Sequence, residues 1–194
     1  MIKEKQILEI VGNNDVITTE ELTKNKIHRV YLTKLLKENK IQKVDRGIYA
    51  INNKVVNDYY IMQVKSKKII FSHFTALEIQ GFYKNIDKCI HISVQQGYNG
   101  KKFNKHKVFY NNKEIYELGL IQYNYNGFIL KVYDIERSVC DIIKNQNRFT
   151  NDDYNKFINY YFNSQNLNYK KLLQYSTKLK IDDKVYHYLT LFKA

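Results

Sequence analysis

Proline is absent from this 194-residue chain, and only two cysteines and seven glycines occur. With no Pro/Gly-rich spacer, any division into domains has to be read from a change of pattern rather than from a linker. Cys89 and Cys140 have no secretory leader ahead of them, because the N-terminus is polar by Lys3, Glu4 and Lys5 with no apolar run behind it. They read as reduced, buried small hydrophobes rather than a disulfide. Neither has a second Cys or a His at ligand spacing, so no metal and no cofactor are expected. No apolar run approaches the roughly 18 residues of a membrane span, and a cytoplasmic protein is expected. A glycine-rich loop able to cradle phosphates is missing too. Arginine is scarce, 4 against 28 Lys. With abundant Asn and no Pro, that balance reads as an AT-rich coding bias rather than as function.

What is present is a core and a positive charge. The apolar fraction is 44%, ordinary for a globular protein. The net charge of +13 argues for a polyanionic partner. That charge is sorted by position. From Met1 to Thr23 two Lys face Glu4, Glu9, Asp15, Glu20 and Glu21, a net of −3, whereas Lys24 to Arg46 holds eight Lys/Arg against Glu38 and Asp45, a net of +6. Most of the excess nevertheless lies beyond residue 54, with +4 over 55–141 and +5 over 142–194.

The sorted segment has a recognisable order of elements. Ile2, Ile7, Leu8 and Val11 share a helical stripe. Thr18-Thr19-Glu20-Glu21 is a capping box for a short helix to about Lys24. A third helix is expected from about Ile27 to Glu38, with Leu32, Leu35 and Leu36 buried and Val30, Thr33, Lys34 and Lys37 opposite. Asn39 suits the left-handed residue that ends it. Ile41–Val44 and Ile48–Ile51 alternate like strands around Asp45-Arg46-Gly47, where Gly47 is free to take positive φ. This order is that of a winged helix-turn-helix, whose third helix enters the major groove of double-stranded DNA while the hairpin tip meets the backbone. On this reading Lys26, Arg29, Thr33, Lys34 and Lys37 face DNA, His28 and Tyr31 flank them, and Arg46 touches phosphate or the minor groove. Arg29 is the expected base reader, because Arg to guanine is the commonest specific pairing. The competing reading is a solvated helix face on a small domain used for protein contacts.

The pattern changes near Asn52-Asn53-Lys54, so domains are expected at 1–53 and 54–194, the whole chain being α+β. In the second domain residues 56–66 read as a helix and Ile69–Phe71 as a strand. Ser72 is expected to cap a helix from His73 to Gln80, closed by Gly81. Strands are expected at Cys89–Val94, Val108–Tyr110, Ile121–Tyr125 and Phe128–Tyr133, the last two joined by the hairpin signal Asn126-Gly127. Asp134 caps a helix to about Lys144, and the tail is helical, with Tyr154, Phe157, Ile158, Tyr161 and Phe162 on one face.

Ser72-His73-Phe74-Thr75-Ala76-Leu77 with Gly81, Ile90-His91-Ile92-Ser93-Val94 leading to Gly97-Tyr98-Asn99, and Val132-Tyr133-Asp134-Ile135-Glu136-Arg137-Ser138 with Asp141-Ile142-Ile143 follow the winged helix in order. In this arrangement the chain resembles the AbiEi antitoxins of the AbiE abortive-infection, type IV toxin–antitoxin, systems. The resemblance implies a non-enzymatic, two-domain antitoxin. Its first domain would bind operator DNA, at inverted repeats, and repress its own operon. Its second would counter a nucleotidyltransferase-like toxin without a stable complex. Asn39 departs from the Gly usual at the end of the reading helix, a position both residues tolerate.

Other residues have competing readings. Lys101, Lys102, Lys105 and Lys107 form a second candidate DNA surface or an exposed loop. Ser72, Tyr98, Glu136, Arg137 and Asp141 are candidates of the antitoxin domain, Tyr98 because a loop aromatic can anchor a partner. Asp134, Glu136, Arg137 and Asp141 could form an acid–base or metal site. The preferred account is structural, with Asp134 as cap, Glu136 complementing the first-turn dipole and Arg137–Asp141 as an i,i+4 pair. His73, His91 and His106 lack the clustered acids or thiols that argue for catalysis. A DNA-metabolising enzyme fits poorly, since Glu114, Glu117 and Lys131 are a weak match to its metal-binding pattern. A ligand-responsive repressor without a toxin is the other alternative.

Overall fold

The structure, a computed structural model, describes residues 2–84, 89–165 and 167–193. The chain divides into two compact units, Met1–Lys65 and Ser66–Ala194.

The first unit runs α1 (Ile2–Asn14), β1 (Val16–Thr18), α2 (Thr19–Lys24), α3 (Val30–Lys37), β2 (Ile41–Asp45), β3 (Ile48–Ile51) and α4 (Asp58–Lys65). Its sheet has the order β1-β3-β2, antiparallel throughout. Strand β1 is an addition to the sequence expectation, since three residues carry no readable period and pairing with β3 alone defines them. The Thr18 capping box forms in both directions: Glu21 N–H donates to Thr18 Oγ1 at 3.1 Å and Thr18 N–H to Glu21 Oε2 at 2.9 Å. Ile7, Val11, Ile17, Leu22, Ile27, Leu32, Leu35 and Ile41 close one core, each fully buried side chain contributing about 1.5–3 kcal/mol. Ile2 does not join it and is 83% exposed. Helix α3 begins at Val30, three residues later than expected from periodicity, and Asn39 (φ 52) ends it. Lys40 N–H reaches Leu35 O at 2.9 Å and Asn39 N–H reaches Leu36 O at 3.1 Å, a Schellman closure. Helix α4 belongs with this unit rather than the next: Ile61 packs with Val16, Ile48 and Ala50, flanked by Val56, Tyr60 and Val64. The units therefore part at 65/66, not at 53/54.

The second unit contains β4 (Ile70–Phe71), α5 (His73–Ile79), β5 (His91–Gln95), β6 (Lys107–Asn111), α6 (Lys113–Glu117), β7 (Leu120–Tyr125), β8 (Phe128–Tyr133), α7 (Ile135–Lys144), α8 (Asn151–Phe162), α9 (Tyr169–Leu179) and α10 (Asp182–Lys193). Its mixed sheet has the order β6-β5-β4-β8-β7, parallel at β5/β6 and β4/β8 and antiparallel elsewhere. Asn126 (φ 52) and Gly127 (φ 88) turn the β7–β8 hairpin, as their type I′ chemistry requires. Helix α7 is buried from Glu136 to Ile143 and packs with α5, α8, α9 and α10 in an aromatic-rich core of Phe74, Tyr154, Phe157, Tyr161 and Phe162. Gly119 (φ 71) passes so close to this helix that an added Cβ would lie 2.6 Å from Arg137 Cβ.

Candidate nucleic-acid interface and a polar cleft

Helix α3 sorts its residues as its period dictates. Leu32 and Leu35 are buried and Leu36 half-buried, while Val30, Thr33, Lys34 and Lys37 are exposed. The late start of the helix moves three candidates off it. Lys26 (φ 53) and His28 lie in the turn that follows α2, and Arg29 is the N-cap residue, with a helical backbone and no side-chain cap bond. His28 Nδ1 instead accepts from Val30 N–H at 3.2 Å. Tyr31 is half-buried against the core, so its ring is largely committed to packing. Arg46 is exposed at the hairpin tip, where Gly47 (φ 75) makes the turn. Among the described residues Arg29, Lys37 and Arg46 have no ion pair. Lys34 does: its Nζ donates to Glu4 Oε1 at 2.8 Å. That hydrogen bond raises the Lys34 pKa and lowers that of Glu4. The tip is braced from behind by an Asp45–Lys65 ion pair, whose hydrogen bond holds the Asp45 carboxyl below its usual range.

In the second unit Lys101 and Lys102 lie on a short helical turn (Gly100–Phe103) and are exposed with Lys105. Lys107 is half-buried in β6, its Nζ 4.9 Å from the Phe149 ring centre. The run is thus split between a solvated loop and an aromatic cluster. Tyr98 is half-buried, with its hydroxyl 2.7 Å from Ser66 Oγ.

The acidic group around α7 separates into two environments. Asp134 Oδ1 caps α7 by accepting from Arg137 N–H at 2.9 Å, and its Oδ2 accepts from Lys171 Nζ at 3.0 Å and Tyr175 Oη at 2.8 Å. Burial raises the Glu136 carboxyl above its usual range. Arg137 is wholly buried: Nη1 donates to Ile115 O at 2.6 Å and Leu118 O at 2.7 Å, and Nη2 lies 3.2 Å from Asp141 Oδ1. One turn further on, Asp141 is 2% exposed and its pKa is raised by burial, although Arg137 opposes the shift.

Asp141 faces a cleft of about 220 Å³ lined by His73, Phe109, Asn111, Lys144, Asn145 and Arg148 among others. Sequence reasoning did not make His73 a site residue, because Asn145, which it meets at 3.2 Å, is 72 residues away. Asn145 Nδ2 donates to Asp141 O at 2.9 Å, so His73 Nε2 must be an acceptor and Nδ1 carries the proton toward Ser72 Oγ at 2.9 Å. Ser72 therefore spends its hydroxyl on His73 and does not cap α5, correcting the expected role. His73 is neutral, stacked on Phe109 at 3.6 Å, and holds a left-handed backbone (φ 49), a conformation that costs on the order of 1 kcal/mol or more outside glycine. Burial, then the nearby His91, Arg137, Arg148 and Lys107, depress its pKa well below 6.5. Ser72, Arg137 and Asp141 thus meet around one network, while Glu136 and Tyr98 lie outside it.

Comparison with known proteins places the first unit. Residues 5–52 match a family model described as "Transcriptional regulator, AbiEi antitoxin". The match bears out the resemblance to that family over α1 to β3, and its description is that of a transcriptional regulator. No curated protein matches the chain. The chain is similar in fold to the crystal structure of the RV2827C protein from Mycobacterium tuberculosis, with a TM-score of 0.56 at 11% identity, over 91% of this chain and 72% of that one. No helix among the described residues is long and apolar enough to cross a membrane.

Proposed function

We infer that this chain, whose residues 5–52 match the AbiEi antitoxin regulators, is the DNA-binding antitoxin of a type IV toxin–antitoxin system acting in abortive infection. The first unit is read as a winged helix-turn-helix that binds operator DNA, at inverted repeats, and represses its own operon. Helix α3 enters the major groove, presenting Thr33, Lys34 and Lys37, and Arg29 reaches base edges from the helix start. Lys26 and His28, in the preceding turn, and Arg46, at the wing tip, meet the backbone. The observation that carries this reading is the coincidence of the family match with three exposed cations, Arg29 at the start of α3, Lys37 in its last turn and Arg46 at the hairpin tip, that have no ion pair among the described residues.

The second unit, on this reading, counters a nucleotidyltransferase-like toxin without forming a stable complex, in the cytoplasm. The test of both halves is co-expression. Full-length protein should restore growth of cells producing the toxin encoded beside it, and should repress a reporter driven by the promoter upstream of both genes. Repression without rescue would leave a plain repressor, a second reading that the polar cleft favours, since such a regulator needs a ligand site. Rescue without repression would remove the operator-binding role.

A further inference from the structure

The cleft at the end of α7 has a chemical contradiction built into it. Its charged rim is cationic: Lys144 and Arg148 have no carboxylate partner among the described residues, and Arg148 is braced over the Phe109 ring at 4.6 Å. Its floor is a carboxylate. Asp141 Oδ1 faces Arg137, but Oδ2 is buried with no hydrogen-bond partner at all. Buried polar atoms are nearly always satisfied, and this orphan belongs to a residue that lines the cleft. Around it, Asn145 Nδ2 donates to Asp141 O and meets His73 Nε2, and Asn111 Nδ2 donates to Ser93 Oγ at 2.6 Å, while Arg137 Nε and Nη2 are themselves without a hydrogen-bond partner.

A ligand that is anionic toward Lys144 and Arg148 and also donates a hydrogen bond to Asp141 would match both the rim and the floor of the cleft. Carboxylates and sulfate carry no proton near neutral pH, and neither does the phosphodiester backbone of DNA. A phosphate monoester or inorganic phosphate does, because its second ionisation falls near pH 6 to 7. We propose that this cleft binds a phosphate monoester group or free phosphate, with Lys144 and Arg148 holding the anion and Asp141 Oδ2 sharing its remaining proton. The raised pKa of the buried Asp141 helps the sharing, since it makes the two oxygens better matched for one proton. The left-handed His73, pinned between Ser72 and Asn145, fixes the Asn145 amide and so the cleft wall. Such a ligand would belong to the second unit, whatever the first unit binds, so the proposal does not depend on the antitoxin reading.

Calorimetric titration of the full chain with inorganic phosphate, glycerol 3-phosphate, sulfate and dimethyl phosphate, at matched ionic strength near neutral pH, tests it. The expected result is saturable binding of one or both proton-bearing anions, with sulfate and dimethyl phosphate at least about tenfold weaker. Tighter binding of glycerol phosphate marks an esterified ligand, and binding of inorganic phosphate alone marks free phosphate. Lys144→Gln with Arg148→Gln, both at exposed positions, should abolish binding while leaving the protein folded, with only the small loss of melting temperature that follows from removing the Arg148–Phe109 contact. Asp141→Asn, if its circular dichroism shows it folded, should let sulfate bind as well as phosphate, because the amide supplies the donor sulfate lacks. Equal binding of sulfate and phosphate to the wild type, no binding of either phosphate, or undiminished phosphate binding by the Lys144/Arg148 variant would overturn the assignment.

Discussion

Arg29 and Lys34 illustrate how two cations five residues apart come to have different surroundings. Arg29, the N-cap residue of α3, has no ion pair among the described residues, whereas Lys34 is engaged by Glu4. Arg29→Ala is expected to cost about 1–3 kcal/mol on the operator and little on random duplex. Equal losses on both would remove its base-reading role. At Gly119 both φ 71 and the 2.6 Å approach to Arg137 Cβ forbid a side chain. Gly119→Ala should lower the unfolding free energy by at least about 1–3 kcal/mol in urea titration. His73 supplies a pH signature. Its folded pKa lies well below 6.5, so the unfolded chain takes up the proton first as pH falls. The stability linked to neutral His73 is complete above pH 6.5 and is lost on acidification. His73→Asn tolerates the same backbone. The variant should lose less stability than the wild type between about pH 7.5 and about pH 5. Parallel pH profiles would show that His73 does not titrate on unfolding.

At the scale of elements, α1 screens α3 through the Glu4–Lys34 contact. DNA phosphate must compete with Glu4 for that ammonium, so Glu4→Gln should tighten operator binding by roughly two- to fivefold. Anisotropy titrations showing unchanged affinity would mean Lys34 stays with Glu4 on DNA. What was legible in the sequence was local. The Thr18–Glu21 capping box, the Asn126-Gly127 hairpin, Asp134 as a cap and the α8 stripe each depend on neighbours within a few residues, and all are present. Strand β1 and helix α6 were not legible because three and five residues are too short to show a period. The start of α3 and the placement of α4 are tertiary outcomes: Ile27 is pulled into the core ahead of the helix, and Ile61 is buried against β1 and β3. Ser72 looked like a cap only while the neighbouring imidazole was unseen. The cleft was invisible because it joins α5, β6 and the end of α7, segments whose proximity no spacing records.

For the whole molecule, the net charge of +13 is not concentrated in α3, and the proposed roles of the two units are separable. Substituting Arg29, Lys34 and Arg46 together by Ala should abolish repression yet leave toxin rescue intact in co-expression. Loss of both would show that rescue depends on DNA binding. The most direct test of the central claim, that the first unit reads operator DNA through α3 and its hairpin, is a salt series of binding isotherms. The full chain and the triple Ala variant would each be titrated with the duplex upstream of its own gene and with a random duplex. The wild type is predicted to prefer the upstream duplex by at least about 10³-fold. The triple variant should lose that preference, with a salt slope shallower by about two to three. Equal affinity for both duplexes, or a triple variant that binds like the wild type, would contradict it.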